Sequence, residues 1–191
     1  MFPTAQSSWA FLIVDPQVDF CPGGALPVPG GDAIFRAVNE VAGRAPLVVA
    51  SRDWHPPHHV SFTERGGPWP PHCVQGTEGA EFHPALDRHP IAHVVSKGED
   101  PNRDEYSDFQ GTGLAEWLHE HGVESLVVGG LATDYCVRAT VLDALGAGFP
   151  VTVLEDAVGA VDVRPGDGER ALDEMREHGA RVLRARDLSA G

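Results

Sequence analysis

The sequence predicts one α/β domain spanning residues 1–191, a three-layer α/β/α sandwich built on a six-stranded, mainly parallel sheet. Short apolar runs alternate along the chain with segments of helical spacing, the order expected of parallel βαβ units. A length of 191 residues suits one domain with a full core. The sequence contains no internal repeat, low-complexity segment or interdomain linker.

Each predicted strand is a short apolar run. The clearest is WAFLIV at 9–14, which is continuous and therefore typical of a strand buried on both faces. The other runs are 47–51 (LVVAS), 93–96 (HVVS), 126–128 (LVV), 151–156 (VTVLED) and 180–185 (ARVLRA).

The predicted helices lie between these strands. The first, 31–43, places Ile34, Val38 and Val41 on one face. The others span 113–122, 168–179 and a segment that begins after a turn at Gly129-Gly130 and ends near Ala147. Residues 187–191 are expected to form a short frayed end.

The stretch from Arg52 to Pro90 does not fit a minimal βαβ unit. It has little strand or helix pattern, but it is rich in proline, glycine and histidine and contains two tryptophans. Loops this long are usually functional or disordered. Its tryptophans and histidines favour an ordered functional loop.

Composition excludes several classes of partner. The net charge is −14, so the chain would repel nucleic acid and anionic membranes, and it contains no basic run. No segment has the length or polarity of a signal peptide or a membrane span. Three widely spaced cysteines predict no disulfide framework and suit a reducing, cytoplasmic setting.

Cys136 is the candidate nucleophile. It follows the fourth strand and lies near the start of a helix, after the N-cap candidates Thr133 and Asp134. A helix N-terminus carries unpaired N–H groups and partial positive charge, which favour the reactive thiolate. The alternative is a small, buried, inert cysteine, which is the common state of a free cysteine.

Other reactive side chains follow the neighbouring strands. Ligands bind at the carboxyl ends of strands in open parallel sheets, and Asp15, Asp53 and Lys97 follow strands one, two and three. Asp15 could take the proton of the Cys136 thiol and later give it to a leaving group. Lys97 would favour the thiolate and keep Asp15 ionised. A turn-forming aspartate and a solvated lysine are the structural alternatives.

The histidine-rich loop predicts a metal site. Asp53 and His55 are two residues apart, so their side chains would share one face of an extended chain, and His59 and His72 follow. His58 is the weaker alternative to His59. Carboxylate and imidazole ligands suit one divalent ion of zinc, iron or manganese. A polar loop that happens to be rich in histidine remains the alternative.

Five separated motifs resemble those of one known family. They are VDPQVDFCPGGALPV, SRDWHPPHHVSF, WPPHCVQGTEGAEFH, KGEDPNRDEYSDF and GLATDYCVRATVLDA, and together they cover nearly the whole chain. In this order they resemble nicotinamidases (pyrazinamidases), the metal-dependent branch of the isochorismatase-like cysteine hydrolases. The resemblance implies the isochorismatase-like hydrolase fold, with strand order 3-2-1-4-5-6.

The resemblance also implies roles for individual residues. The catalytic triad would be Asp15, Lys97 and Cys136, and the N–H groups of Ala132 and Cys136 would form the oxyanion hole. The metal would be held by Asp53, His55 and His72, with His59 as a further ligand or near-ligand, and would bind the pyridine nitrogen of the substrate. Phe20, Trp69 and Tyr106 would enclose the substrate ring, and the Leu131-Ala132 peptide bond would be cis.

The function expected from this resemblance is hydrolysis of nicotinamide, and of pyrazinamide, to the free acid and ammonia, as in NAD salvage. Two alternatives remain at this point. One is a metal-independent amidohydrolase of the same superfamily that acts on a ureido or carbamoyl substrate. The other is a non-catalytic nicotinamide-binding protein. The resemblance is compatible with a monomer or a homo-oligomer.

Overall fold

The computed structural model describes residues 9–188. Six strands form one parallel sheet in the order β3-β2-β1-β4-β5-β6. The strands are β1 (Trp9–Val14), β2 (Val48–Asp53), β3 (Ile91–Lys97), β4 (Ser125–Leu131), β5 (Val151–Gly159) and β6 (Arg181–Leu183). The predicted sheet and its strand order are therefore confirmed.

Four α-helices connect the strands: α1 (Phe35–Ala42), α2 (Leu114–Glu120), α3 (Arg138–Gly146) and α4 (Asp167–Glu177). Two separate apolar clusters lie on the two faces of the sheet. Phe11 and Ile13 of β1 belong to one cluster, whereas the alternating Ala10, Leu12 and Val14 belong to the other. Because successive side chains of a strand point to opposite faces, this division shows the predicted three layers.

Two local predictions at the end of β4 are wrong. Gly129 and Gly130 do not form a turn, because β4 continues to Leu131. A Cβ atom at Gly130, where φ is +117°, would lie 2.1 Å from the Val14 carbonyl oxygen, so glycine lets β1 and β4 approach closely here. Neither Thr133 nor Asp134 is the N-cap of the next helical turn, which is Ala132; the Asp134 carboxylate instead accepts the N–H groups of Val161 and Asp162.

The long segment after β2 is ordered by short turns and by single bridges to neighbouring chain. The bridges pair His55 with Val74 and Phe62 with Trp69. A third bridge, between Gln17 and Phe82, ties the segment to the chain that follows β1, at the carboxyl ends of the strands. Of the predicted frayed end, 187–191, Asp187 is the last residue of a 3-10 turn (Ala185–Asp187), and residues 189–191 lie outside the described residues. Within residues 9–188, no helix is both long and apolar enough to span a bilayer.

Candidate active site

The side chains predicted from the strand ends meet at one edge of the sheet. The buried ammonium of Lys97 donates to the carboxylates of Asp15 and Asp53, the latter at 2.6 Å. The Cys136 sulfur and one oxygen each of Asp15 and Asp53 lie within 4.8 Å of one another. Lys97 is the chain's one lysine against 13 arginines, and its long side chain lets the edge strand β3 reach Asp15 at the end of β1.

Asp15 is held in a strained backbone conformation. Its φ of +44° lies in the left-handed region that non-glycine residues rarely adopt. Ser51 fixes it twice, because the Ser51 hydroxyl accepts the Asp15 N–H at 3.1 Å and donates to Oδ1 at 2.9 Å. Gln17 adds a further brace by bonding to both the N–H and the C=O of Asp53. The two constraints orient the Asp15 and Asp53 carboxylates relative to each other.

Burial and Lys97 together determine the charges of this cluster. Burial raises the pKa of Asp15, although Lys97 opposes the effect. Burial would raise the pKa of Asp53 as well, but Lys97 and His55 outweigh it and hold that pKa below its ordinary value. Burial disfavours the ammonium of Lys97, but Asp15 and Asp53 more than compensate and raise its pKa well above 10.5. The resting cluster therefore contains charged Lys97 and Asp53.

Burial, and not the helix terminus, has the largest effect on the pKa of the Cys136 thiol. Cys136 lies in a π-helical turn, Thr133–Val137, directly before α3. Burial raises the pKa of its thiol well above 9.0, with Lys97 acting in the opposite direction. The resting residue is therefore a thiol that needs a nearby base, and the Asp15 carboxylate is in reach.

Three of the predicted metal ligands converge. Asp53 Oδ2 lies 3.5 Å from His55 Nε2 and 4.0 Å from His72 Nε2, and all three side chains are buried. The opposite ring nitrogens are occupied by backbone carbonyls, Gly98 O at 3.0 Å from His55 Nδ1 and Pro70 O at 2.7 Å from His72 Nδ1. Such contacts orient a histidine so that its free nitrogen can bind a metal. One carboxylate with two imidazoles fits a zinc, iron or manganese ion.

Neither of the other two candidate histidines is brought into this group. His59 stacks on His55 with ring centroids 4.1 Å apart, but its nitrogens face the Ser61 hydroxyl and the Arg103 carbonyl at 2.7 and 2.9 Å. His58 is exposed and bonds to Glu64 at 2.6 Å. The structure thus places His59 behind the ligand group and His58 outside it.

A small cavity connects the Cys136 thiol with Asp53 and His72, two of the three candidate metal ligands. Seven of its lining residues are predicted site residues: Phe20, Trp69, Tyr106, Ala132, Cys136, Asp53 and His72. The other four were not predicted: Leu26, Val28, Tyr135 and Val161. The Trp69 indole donates to the Tyr106 hydroxyl at 3.0 Å, which fixes both rings. The Leu131-Ala132 peptide bond is cis, as the resemblance implies. The lining of the cavity thus brings aromatic and apolar side chains, of the kind that pack against a flat ring, together with the Cys136 thiol.

The chain belongs to the isochorismatase domain family, whose sequence profile matches residues 9–187. The fold and the site thus define a hydrolase of this family. Within it, the chain is 43% identical to the nicotinamidase of Escherichia coli, over 93% of this chain and 95% of that protein.

Two solved structures agree with this placement. The pyrazinamidase of Pyrococcus horikoshii in complex with zinc superposes with a TM-score of 0.88 and 50% identity, over 93% of this chain and 99% of that one. PnC1 from L. infantum in complex with nicotinate superposes with a TM-score of 0.92 and 40% sequence identity, over the full length of both chains.

Proposed function

We propose that the protein hydrolyses nicotinamide to nicotinic acid and ammonia, with Cys136 as the nucleophile. The single observation that carries the proposal is the cavity itself. The Cys136 thiol, with Asp15 and Lys97 within reach, lines the same cavity as Asp53 and His72 and the aromatic side chains of Phe20, Trp69 and Tyr106. A pyridine carboxamide has the matching parts: an amide carbon, a flat ring and a ring nitrogen.

The first half of the reaction uses the cluster at the strand ends. Asp15 accepts the Cys136 proton, and the sulfur attacks the amide carbon while the C=O electrons move to the oxygen. The N–H groups of Ala132 and Cys136 are the proposed donors to that oxyanion. Asp15 then gives the proton to the departing nitrogen, ammonia leaves, and a thioester remains.

The second half releases the acid. A water molecule gives a proton to Asp15 as its oxygen attacks the thioester carbon, and the Asp15 proton returns to the Cys136 sulfur when the C–S bond breaks. Lys97 stays charged throughout and balances the negative charge that moves between Asp15, sulfur and oxyanion. In the resting protein its ammonium contacts both carboxylates, which suits this role.

Asp53, His55 and His72 are the residues that would hold a divalent metal ion. When bound, such an ion supplies a Lewis-acid contact for the pyridine nitrogen and so orients the ring. Phe20, Trp69 and Tyr106 exclude water from the ring faces. Pyrazinamide offers the same carboxamide and a second ring nitrogen, so we expect it to be cleaved as well. The buried, unpaired cysteines suit a reducing cytoplasm, where the product can enter NAD salvage.

The test is ammonia release from nicotinamide by the metal-replete protein, compared with Cys136→Ala and with the matched control Cys21→Ala. Cys21 is also buried, but it lies in the apolar cluster on the sheet face. We expect release by the parent and by the control, none by Cys136→Ala, and loss after chelation that added metal restores. Cleavage of carbamoyl compounds in place of nicotinamide would favour the ureido hydrolase alternative. Tight nicotinamide binding without turnover would favour a binding protein.

A further inference from the structure

One buried carboxyl beside the cluster has no part in the proposed reaction. Asp108 is 0% exposed, and its Oδ1 lies 3.8 Å from Lys97 Nζ. Within residues 9–188 neither of its carboxyl oxygens has a hydrogen-bond partner. Ser51 also lies beside this carboxyl, but its hydroxyl proton is donated to Asp15. Buried polar atoms in proteins are nearly always paired, so such a group calls for an explanation.

The backbone of Asp108 is fixed, so the position of its carboxyl is imposed by the fold. Its N–H donates to Thr140 Oγ1 of α3 at 3.0 Å, and its C=O accepts the Thr112 hydroxyl. The carboxyl is therefore kept beside the chain's one lysine. An ammonium has three N–H donors, and the resting structure uses two of them on Asp15 and Asp53. The geometry thus leaves one donor of Lys97 for Asp108.

Resting on the proposed function, we propose that Asp108 is a positioning residue for amide hydrolysis, serving as the third acceptor of Lys97 when Asp15 takes the Cys136 proton. A protonated Asp15 is a poorer acceptor than a carboxylate. The ammonium can then keep its bond to Asp53 and close the gap to Asp108. This second acceptor frees Asp15 to hold the proton until the leaving nitrogen takes it.

The charges around Asp108 agree with this role. The titratable groups that face it are Lys97, Asp15 and Asp53. Burial raises the pKa of Asp108 to about 8, against the attraction of Lys97 and with the repulsion of Asp15. Its ionisation therefore depends on how closely the ammonium approaches, which is what a reserve acceptor requires.

The kinetic test compares Asp108→Ala, which removes the acceptor, with Asp108→Asn, which retains a carbonyl oxygen. The matched control is Asp143→Asn on the exposed face of α3. We expect kcat for nicotinamide to fall by about tenfold to a hundredfold in Asp108→Ala and by less in Asp108→Asn. KM should change by less than about twofold, because Asp108 does not line the ring cavity. An unchanged kcat in Asp108→Ala, or equal losses in both variants, would overturn the proposal.

Two further measurements distinguish a positioning role of Asp108 in catalysis from a purely structural role. Without Asp108 the ammonium of Lys97, which favours the Cys136 thiolate, has one carboxyl fewer to face, so the midpoint pH of Cys136 alkylation by iodoacetamide should fall by about one unit while kcat also falls. Protein labelled with ¹³C-lysine gives one side-chain Cε signal, from Lys97, and it should shift in both Asp108 variants but not in Asp143→Asn. An unshifted signal or a raised midpoint would refute the contact.

The failure of this inference can be told from the failure of the proposed function. If the parent protein releases no ammonia, the nicotinamidase proposal and the turnover role of Asp108 both fall, whatever the variants do. If the parent is active and Asp108→Ala equals it, only the role of Asp108 falls.

Discussion

Replacing Lys97 with methionine tests the charge balance on which the site depends. The side chain keeps most of its volume, but the ammonium that contacts Asp15 and Asp53 and faces Asp108 at 3.8 Å is lost. Breaking a buried ion pair by removing one partner costs about 3–5 kcal/mol, because the other charge is left buried. We therefore expect Lys97→Met to lose ammonia release and about that much unfolding free energy at pH 7.

The loss of unfolding free energy in Lys97→Met should depend on pH, and the buried carboxyl groups determine whether it grows or shrinks as the pH rises. Lys97 holds the pKa of Asp53 below its ordinary value, so without Lys97 burial raises it above the unfolded value of 3.8. A folded state that binds one more proton than the unfolded state loses about 1.4 kcal/mol of stability per pH unit as the pH rises. The parent contribution from Lys97 is constant here, because its raised pKa lies far above pH 7. The deficit of Lys97→Met should thus be larger at pH 7 than at pH 5, by at most about 1.4 kcal/mol per pH unit.

The assay is urea unfolding of both proteins at pH 5 and pH 7 with a chelator present. Arg138→Met is the matched control, because Arg138 pairs with Glu174 at 2.6 Å but both side chains are more than a third exposed. An exposed pair of this kind is worth about 0–1 kcal/mol. We expect the control to differ little from the parent at either pH. Equal deficits of Lys97→Met at pH 5 and pH 7, or a deficit under about 1 kcal/mol, would refute the charge balance described here.

Three other predictions concern single contacts. In Gly98→Ala the new Cβ would lie 2.4 Å from the His55 ring and displace it. Zinc affinity, measured by competition with a chromogenic chelator, should therefore fall by at least about tenfold, and an unchanged affinity would contradict the ligand assignment. In Ser51→Ala the Asp15 carboxylate loses a donor, and kcat should fall by about tenfold with little change in KM, whereas a change in KM alone would contradict the role of Asp15. The rate of Cys136 alkylation should rise steadily from pH 7 to pH 9, because burial keeps the thiol protonated at neutral pH; a plateau below pH 7 would show a resting thiolate instead.

The sequence was informative where chemistry follows a strand. Six apolar runs predicted six strands, and the carboxyl ends of strands in a parallel sheet share one edge, so the sequence alone could place Asp15, Asp53 and Lys97 together. Ser51 could have been found by the same argument, because it precedes Asp53 by two residues on β2 and so shares its face.

Other contributions could not be predicted, because they depend on loops whose paths are set by tertiary contacts. Asp108 lies in irregular chain between β3 and α2, and its backbone bonds to Thr140 of α3 and to Thr112 hold it beside Lys97. Leu26 and Val28 belong to the first quoted motif, but their spacing does not show that they reach the cavity, and Val161 lies outside every quoted motif. The position of His59 was also undetermined, since spacing alone does not show that Ser61 and Arg103 occupy both ring nitrogens.

Asp53 connects the two halves of the site. Its Oδ1 accepts from Lys97 at 2.6 Å, while its Oδ2 faces His55 at 3.5 Å and His72 at 4.0 Å. A cation bound to Oδ2 therefore weakens the hydrogen bond that Oδ1 accepts from Lys97. The ammonium then interacts more strongly with the remaining carboxyl groups. Groups that share a partner in this way do not contribute independently. We thus expect the losses in turnover from Lys97→Met and from His55→Ala to be clearly non-additive in the double variant, with Asp53 as the residue that couples them.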